Sequence, residues 1–487
     1  MATAALIGVD LGTQSAKGCV FDREGRCLDA AEVPYRYDVP QRGWAEIEAE
    51  TWWRAVRDIL RKLSASAGPS AVEAIGVTGQ APTLLAVDAD GHPVRPAILW
   101  LDVRSDGEVA AVAARVGEGA ERVGGNRLHA YYLGPKLVWL RRHEPDRFAK
   151  TVTVLQSHSF PVMRLSGARV TDYSSAALCS PLYDARARAW SAEACARLDV
   201  PPRLLPDLRA AHAVAGRVTA AAERETGVRE GTPVVVGGGD FAASTLAAGV
   251  TEPGEACLML GTSGNLLMPL ASPDFDTRLI NTHHVGCDRY LTLGATLSGA
   301  VQEWFRAVAA PDVGFDVLDA EAAAVPAGAD GVSLLPYLQG ERTPVWDAGA
   351  RGAFVGLSLA HGRGHLYRAL LEGVAVSFRH CAEVARERGL ALREVIAVNG
   401  GARSPLWRQI LADALGVPLL YVPGSTGAPA GAALLAGIGA GVLSGVDAAK
   451  RWRGAPIEHR PEAARTATYA ELLARRARLY PALRRIA

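Results

Sequence analysis

The sequence is short of lysine, methionine and aromatic residues. Five lysines stand against forty-seven arginines in 487 residues, four residues are methionine, and Phe, Trp and Tyr together make 6%. Basic and acidic side chains nearly cancel, 52 against 51, leaving a net charge of +1. Neither a nucleic acid nor an anionic membrane surface is expected as a partner of so neutral a chain. The arginine bias reads as genome composition. The seven cysteines are scattered, odd in number and form no C-x-x-C pair. That excludes a disulfide scaffold and a cysteine zinc site, and fits a reducing compartment, the cytoplasm. Long hydrophobic runs are missing too. The longest, "APAGAALLAGIGAGVL" at 428–443, is broken by glycines and a proline and is shorter than the ~20 residues of a membrane helix. It reads as a helix in a crowded interior. The opening "MATAALIGVD" lacks a basic leader, and Asp10 ends its apolar run, so it does not read as a signal peptide. No G-x-x-x-x-G-K-[ST] phosphate loop occurs.

What is present is an alternation of strands and helices over a length that suggests two or three domains. Leu6–Val9, Gly18–Asp22 and Arg26–Val33 read as a meander, with Asp22–Arg26 as a hairpin turn. Ala45–Ala65 reads as a helix with Trp53, Val56, Ile59 and Leu60 on one face. "VEAIGVTGQAP" and "PVVVGGGD" are buried strands running into turns. This predicts an α/β protein with a largely parallel or mixed sheet. Near residue 251 the pattern restarts. "EACLMLGTSGNLLMPL" repeats the strand, Gly-Thr turn and strand of "LIGVDLGTQSAKGCVF". A divergent duplication is expected, with domains at 1–248 and 249–487 facing each other over a cleft.

Three stretches carry chemistry. In "VDLGTQSAK" a strand ends in Asp10, Gly12 and Thr13 turn it, and Lys17 lies on the returning strand. Bare glycine backbone, a hydroxyl and an ammonium suit an oxyanion, and Asp10 suits Mg²⁺; the same residues also make an ordinary hairpin. The copy "LGTSGN" (260–265) lacks the acid and the lysine, and its presence favours phosphate binding at both. In "IAVNGGARSPLWRQILADAL", Gly400 and Gly401 leave backbone on which a ring or ribose would lie, while Ser404 and Pro405 start a helix. In "VVVGGGDFAAS", Asp240 follows three glycines. It serves either as the cap of a helix at Ala242–Gly249 or as a general base with room beside it for a hydroxyl. The pair His283-His284 lacks a third metal ligand at sensible spacing, and His129, Tyr131 and Tyr132 read as packing.

Together these stretches resemble the FGGY carbohydrate kinase family, most closely its xylulokinase branch. The resemblance runs in order through "GVDLGTQSAK", "GVTGQ", "RPAILWLDVR", "PKLVWLRRHEP", "GGGD", "LGTSG", "LLPYLQGERTPVWD", "RGAFVGLSLAHGRGHLYRALLEG" and "NGGARSPLWRQILAD". It implies two ribonuclease-H-like domains of the actin/Hsp70/sugar-kinase superfamily around a central cleft. It implies ATP and Mg²⁺, and transfer of the γ-phosphoryl group to a hydroxyl of a sugar or polyol, such as the ketopentose D-xylulose. By position, Asp240 becomes the catalytic base and Asp10 the metal ligand. Gly12, Thr13, Gln14, Lys17, Gly261, Thr262 and Ser263 become phosphate-loop residues, and Gly400, Gly401, Ala402 and Ser404 the adenosine site. Gln80, Ala81, Pro82, Asp102, Asp240 and Phe241 fall at the sugar. Ala81, Pro82 and Thr83 stand where xylulokinases usually carry Met-His-Gly, and Phe241 where they carry Asn; Leu133 replaces a small residue. The first two departures remove hydrogen-bonding groups from the sugar pocket. Ribulose, a pentitol or a glycerol-like acceptor is the alternative to D-xylulose, and a catalytically dead sugar sensor the alternative to a kinase. A second copy of the chain is the one macromolecular partner left open.

Overall fold

The computed structural model describes residues 4–485. The leader reading therefore falls in part on residues outside the described ones. Among the described residues no helix is long and apolar enough to cross a membrane.

The first sheet is built from β1 (Ala5–Leu11), β2 (Ser15–Phe21), β3 (Cys27–Pro34), β4 (Val72–Gly79), β5 (Val214–Arg217) and β6 (Pro233–Val235), with the short β7 (Gly238–Gly239) also on β4. Its order is β5-β6-β4-β1-β2-β3. The central β1 is apolar along nearly its whole length because both its faces are covered, whereas edge strand β3 alternates between exposed and half-buried positions. A second sheet contains β8 (Glu255–Leu260), β9 (Ser263–Leu270), β10 (Ile280–His283), β11 (Tyr290–Leu297), β12 (Glu394–Val398), β13 (Leu419–Tyr421) and β14 (Ile457–His459), ordered β10-β11-β9-β8-β12-β13-β14. In each sheet an antiparallel hairpin (β1–β2, β8–β9) adjoins two parallel pairings (β1–β4 and β4–β6, β8–β12 and β12–β13) and then an antiparallel edge (β6–β5, β13–β14). The sequence echo is thus a repeat of topology.

Helix α1 spans Ala49–Ala67 and buries Trp52, Trp53, Val56, Ile59 and Leu60. It starts later than its periodicity suggests because Glu46–Ile47 pairs with Ala97–Ile98 as a two-stranded ladder. Helix α2 is Asp240–Ala247, α3 Arg363–Glu387, α4 Pro405–Leu415 and α5 Ala428–Gly439. The last comes from the longest apolar run. It lies on bare backbone: a Cβ at Gly8 would strike the Pro429 carbonyl, one at Gly76 the Ala432 carbonyl, and one at Gly431 the Ala243 carbonyl. Three glycines, one on each of β1, β4 and α5, allow this approach. A side chain at Gly8 or Gly76 would force the helix off the sheet, and one at Gly431 would force it off α2.

The chain forms two compact units, and neither is continuous in sequence. One comprises 1–251, 281–291 and 426–453; the other comprises 252–280, 292–425 and 454–487. Helix α5 therefore belongs to the first unit although it lies far into the second half of the chain.

Candidate active site

Strand register assembles the centre of the first unit. Asp10 lies opposite Lys17 on β2 and Thr78 on β4; Lys17 lies opposite Glu32 on β3, and Thr78 opposite Gly238 on β7. Five strands thus set Glu32, Lys17, Asp10, Thr78 and Gly238 in one row. The Thr78 hydroxyl donates to Asp10 Oδ1 at 3.1 Å. Two residues beyond Gly238 the chain enters α2 with Asp240. Gly237 makes that path possible. Its φ is +77°, and a Cβ there would strike the Val77 carbonyl. Only glycine combines that dihedral with that proximity.

Asp240 is the first residue of α2, and the N-cap is Gly239, with no side-chain cap. The capping alternative therefore fails: among the described residues Asp240 Oδ1 accepts only from the adjacent Phe241 amide, at 2.7 Å. Burial pushes the Asp240 carboxyl up to about 6, against a pull downward from that amide. Asp10 is pushed up to about 7, first by burial and then by the charge of Asp240; the Thr78 hydrogen bond and Lys17 pull it back. Both residues nonetheless keep a partly exposed edge. Two carboxylates that repel each other beside a hydroxyl form an all-oxygen donor set, which suits a hard divalent cation.

The turn between β1 and β2 is held from three sides. The Gly12 amide donates to the Ser15 carbonyl at 3.0 Å, closing the hairpin. The Gly12 carbonyl accepts from the Tyr35 hydroxyl at 2.6 Å and from Gln80 Nε2 at 3.3 Å. Trp100 Nε1 donates to Thr13 Oγ1 at 3.2 Å. Thr13 is half-exposed and Gln14 exposed. Lys17 is placed differently from a fixed phosphate ligand: its ammonium lies 3.7 Å from Glu32, with both side chains 55% exposed.

Around the expected sugar residues the structure is mostly closed. Gln80 is buried, and its carbonyl accepts from Ser157 Oγ at 2.6 Å, while its side-chain Oε1 has no hydrogen-bond partner among the described residues. Ala81 is buried, and its carbonyl accepts from the Tyr131 hydroxyl at 3.3 Å; Pro82 is buried beside it. Asp102 is fully buried: Oδ2 accepts from the Ala45 amide at 2.6 Å and from Arg104 Nη2 at 2.7 Å, and Oδ1 from the Arg104 amide at 2.9 Å. Its hydrogen-bonding capacity is thus committed within the protein. The Phe241 ring folds back over Gly239, where an added Cβ would overlap it.

Several residues here carry no local sequence signal. Thr78, Tyr35 and Ser157 look like ordinary strand, turn and helix-start residues, and only register brings them to the centre. Lys136 is completely buried and donates to the Leu99 carbonyl at 2.8 Å and the Tyr131 carbonyl at 3.1 Å; burial pushes its ammonium down to about 7. Tyr131, read as packing, is both buried and hydrogen-bonded.

In the second unit, Gly261 and Thr262 turn β8 into β9. Their carbonyls accept from the start of the helix Gly299–Ala309: Gly299 N to Gly261 O at 2.8 Å, and Ala300 N to Thr262 O at 3.1 Å. Ser263 opens β9, half-buried. Beyond Gly400 the space is open, whereas at Gly401 it is filled by the Trp407 ring and Leu260. Only the first of these glycines therefore leaves bare backbone. Ala402 is buried and reaches out by backbone alone, its carbonyl accepting from Arg408 at 3.0 Å. Ser404 caps α4 by accepting from the Trp407 amide at 3.0 Å. In the first unit, His283 and His284 are buried and engage the Tyr183 hydroxyl and the Val250 carbonyl, each at 2.9 Å.

Comparison with known proteins identifies the family. Residues 5–247 match the N-terminal domain of the FGGY family of carbohydrate kinases and 256–440 its C-terminal domain. The chain is 32% identical over 443 residues to a xylulose kinase of Bacillus subtilis, covering 90% of this chain and 88% of that one. It is also 32% identical over 472 residues to a glycerol kinase of Aromatoleum aromaticum, covering 92% of each. The crystal structure of a xylulose kinase from Rhodospirillum rubrum superposes with a TM-score of 0.92 at 36% identity over 99% of both chains. The chain belongs to the FGGY family of carbohydrate kinases, enzymes that phosphorylate a sugar with ATP.

Proposed function

We propose that Asp240 is the general base that takes the proton from the acceptor hydroxyl as the γ-phosphoryl group of ATP is transferred to it. The observation that carries this reading is the row across the first sheet, which puts Asp10 and Thr78 beside the turn that delivers Asp240. A carboxylate raised to about 6 is ionised at neutral pH and still basic enough to accept a proton in the transition state. Asp10 would hold Mg²⁺, which would supply positive charge to offset that of the phosphate oxygens; the all-oxygen donor set fits it. Phosphoryl transfer is otherwise a matter of positioning and charge neutralisation. The amides of Thr13 and Gln14 and the Thr13 hydroxyl on the Gly12 turn, and the amides and hydroxyls of Thr262 and Ser263 on the Gly261 turn, bind the polyphosphate, with Lys17 as a mobile charge beside the first loop. Gly400, Gly401, Ala402 and Ser404 border the adenosine. Residues 1–248 thus carry the sugar site and the first phosphate loop, and 249–487 the second loop and the adenosine site.

The acceptor is a ketose or polyol, with D-xylulose as the reference compound because the curated relatives include xylulose kinases. It meets Gln80, Ala81, Pro82 and Phe241, with Asp102 supporting the pocket wall through Ala45 and Arg104. The similarity to a glycerol kinase at the same identity favours a second reading in which a shorter polyol is the acceptor. The enzyme acts in the cytoplasm, consistent with seven free cysteines, without nucleic-acid or membrane partners and with a second copy of itself as the one macromolecular partner left open. ADP release measured over ketopentoses, ketohexoses, pentitols and glycerol tests the proposal. Sugar-dependent release identifies the acceptor; ATP binding with no sugar-dependent release would make the protein a sensor instead.

A further inference from the structure

Each unit has one Gly-Thr hairpin, and in each the glycine carbonyl is tied back into its own unit by a different donor. Gly261 O accepts from the Gly299 amide at 2.8 Å, at the start of a helix. Gly12 has no such helix. Its carbonyl accepts from the phenol of Tyr35, at 2.6 Å, twenty-three residues later and just past the end of β3. The Tyr35 amide also donates to the Gln14 carbonyl at 2.9 Å, so this one residue grips the hairpin at both Gly12 and Gln14. The Gly12–Thr13 peptide is not among the cis bonds of the described residues. In a trans peptide the C=O and the following N–H point to opposite sides of a rigid plane. A carbonyl pulled toward Tyr35 therefore turns the Thr13 amide the other way. Among the described residues no backbone carbonyl accepts from the Thr13 amide. Without the phenol, the glycine at position 12 would let that plane rotate at little cost.

We infer that Tyr35 is a positioning residue of the first phosphate hairpin, which by holding the Gly12 carbonyl aims the Thr13 amide at a phosphate oxygen of ATP. This rests on the reading of the hairpin as a phosphate loop. Gln80 Nε2 is a weaker second donor to the same carbonyl at 3.3 Å and does not replace a 2.6 Å hydroxyl bond. The phenol stays protonated as a donor because burial, and then the charges of Asp10 and Asp240, hold it well above the ordinary tyrosine range.

The test is Tyr35→Phe in the full chain, which keeps the ring and removes only the hydroxyl. Affinities for adenosine, ADP and ATP are measured by calorimetry alongside kcat and KM. ADP and ATP should bind about tenfold more weakly, as expected for one lost hydrogen bond and a loosened loop. Adenosine affinity and sugar KM should stay at wild-type values, and the melting temperature should fall by no more than the few degrees that one hydrogen bond is worth. Unchanged ADP and ATP affinity would overturn the inference. So would an equal loss for adenosine with a larger fall in melting temperature, which would mark Tyr35 as a packing residue. Failure of the underlying reading looks different: wild-type protein would then bind ADP no better than adenosine.

Discussion

Asp10 and Lys17 stand directly opposite each other on β1 and β2, yet the Lys17 ammonium is drawn across to Glu32 on the next strand, 3.7 Å away. An exposed pair of this kind is worth at most about 1 kcal/mol. Lys17 therefore exchanges Glu32 for a phosphate readily, whereas Asp10 is fixed by Thr78. Lys17→Ala should lower turnover about tenfold or more through lost charge on the transferring group, without moving the Mg²⁺ concentration at half-maximal rate. Asp10→Ala should raise that concentration and depress turnover as well. A Mg²⁺ titration of both variants checks this; wild-type curves in both would show the hairpin to be merely structural.

Asp240→Asn removes the base and keeps the shape of the side chain. Phosphorylation should fall by ~10²–10⁴, with ATP affinity within about twofold of wild type. Calorimetry and a coupled assay on the same preparation separate the two effects, and loss of ATP binding together with turnover would contradict the role given to Asp240.

The raised carboxyls set two pH dependences. Asp240 must be ionised to accept a proton, so kcat/KM should rise with pH through about 6. Stability runs in the opposite direction. Asp10 goes from 3.8 in the unfolded chain to about 7 in the folded one, so the folded state holds its proton more tightly. That contribution is complete below about 4 and is lost as pH climbs to about 7. Ligand-free Asp10→Asn should therefore melt several degrees above wild type at pH 8 and match it more closely at pH 4. Scanning calorimetry at both pH values decides; equal melting temperatures at pH 8 would mean that the Asp10 charge carries no folding cost.

Ala81, Pro82 and Phe241 offer no side-chain hydrogen bond to a sugar. Sites that hydrogen-bond a hydroxyl discriminate strongly, while apolar walls discriminate weakly. The enzyme should therefore turn over D-xylulose poorly compared with at least one other ketose or polyol. Phe241→Asn, alone or with Pro82→His, should move the preference toward D-xylulose. A purified wild-type protein that prefers D-xylulose over every other acceptor would show that backbone groups or Gln80 supply the contacts.

Gly237→Ala should be among the most damaging single-methyl additions in the first unit. It combines a φ of +77° with a collision against the Val77 carbonyl. A loss of more than about 1 kcal/mol is expected, along with most activity even in the fraction that folds, because Asp240 follows three residues later. Wild-type kinetics in this variant would mean that the turn relaxes without moving Asp240.

Much of this protein is written locally. The alternation of apolar strands and amphipathic helices, the Gly-Thr hairpin with its second copy, the Ser404-Pro405 helix start and the glycine turn before Asp240 all depend on residues within a few positions of one another. Short-range rules suffice for them, because turn chemistry, capping and periodicity are properties of neighbouring residues. The local pattern left Asp240 open between cap and base, and the family resemblance implied the base. Backbone geometry removed the first option by making Gly239 the cap. Tertiary structure decided what depends on strand register and long-range packing. The row from Glu32 to Gly238 joins residues more than two hundred positions apart, and a shift of one residue in the β1–β4 ladder would put Asp10 and Thr78 on opposite faces. The same holds for Asp102, whose carboxylate is committed to Arg104 and Ala45, for Gly401, which is filled by Trp407, and for Tyr35, whose phenol meets Gly12 only because β3 returns along β2. Burial and hydrogen-bond partners are set by what the chain brings together from a distance, and no local pattern encodes them.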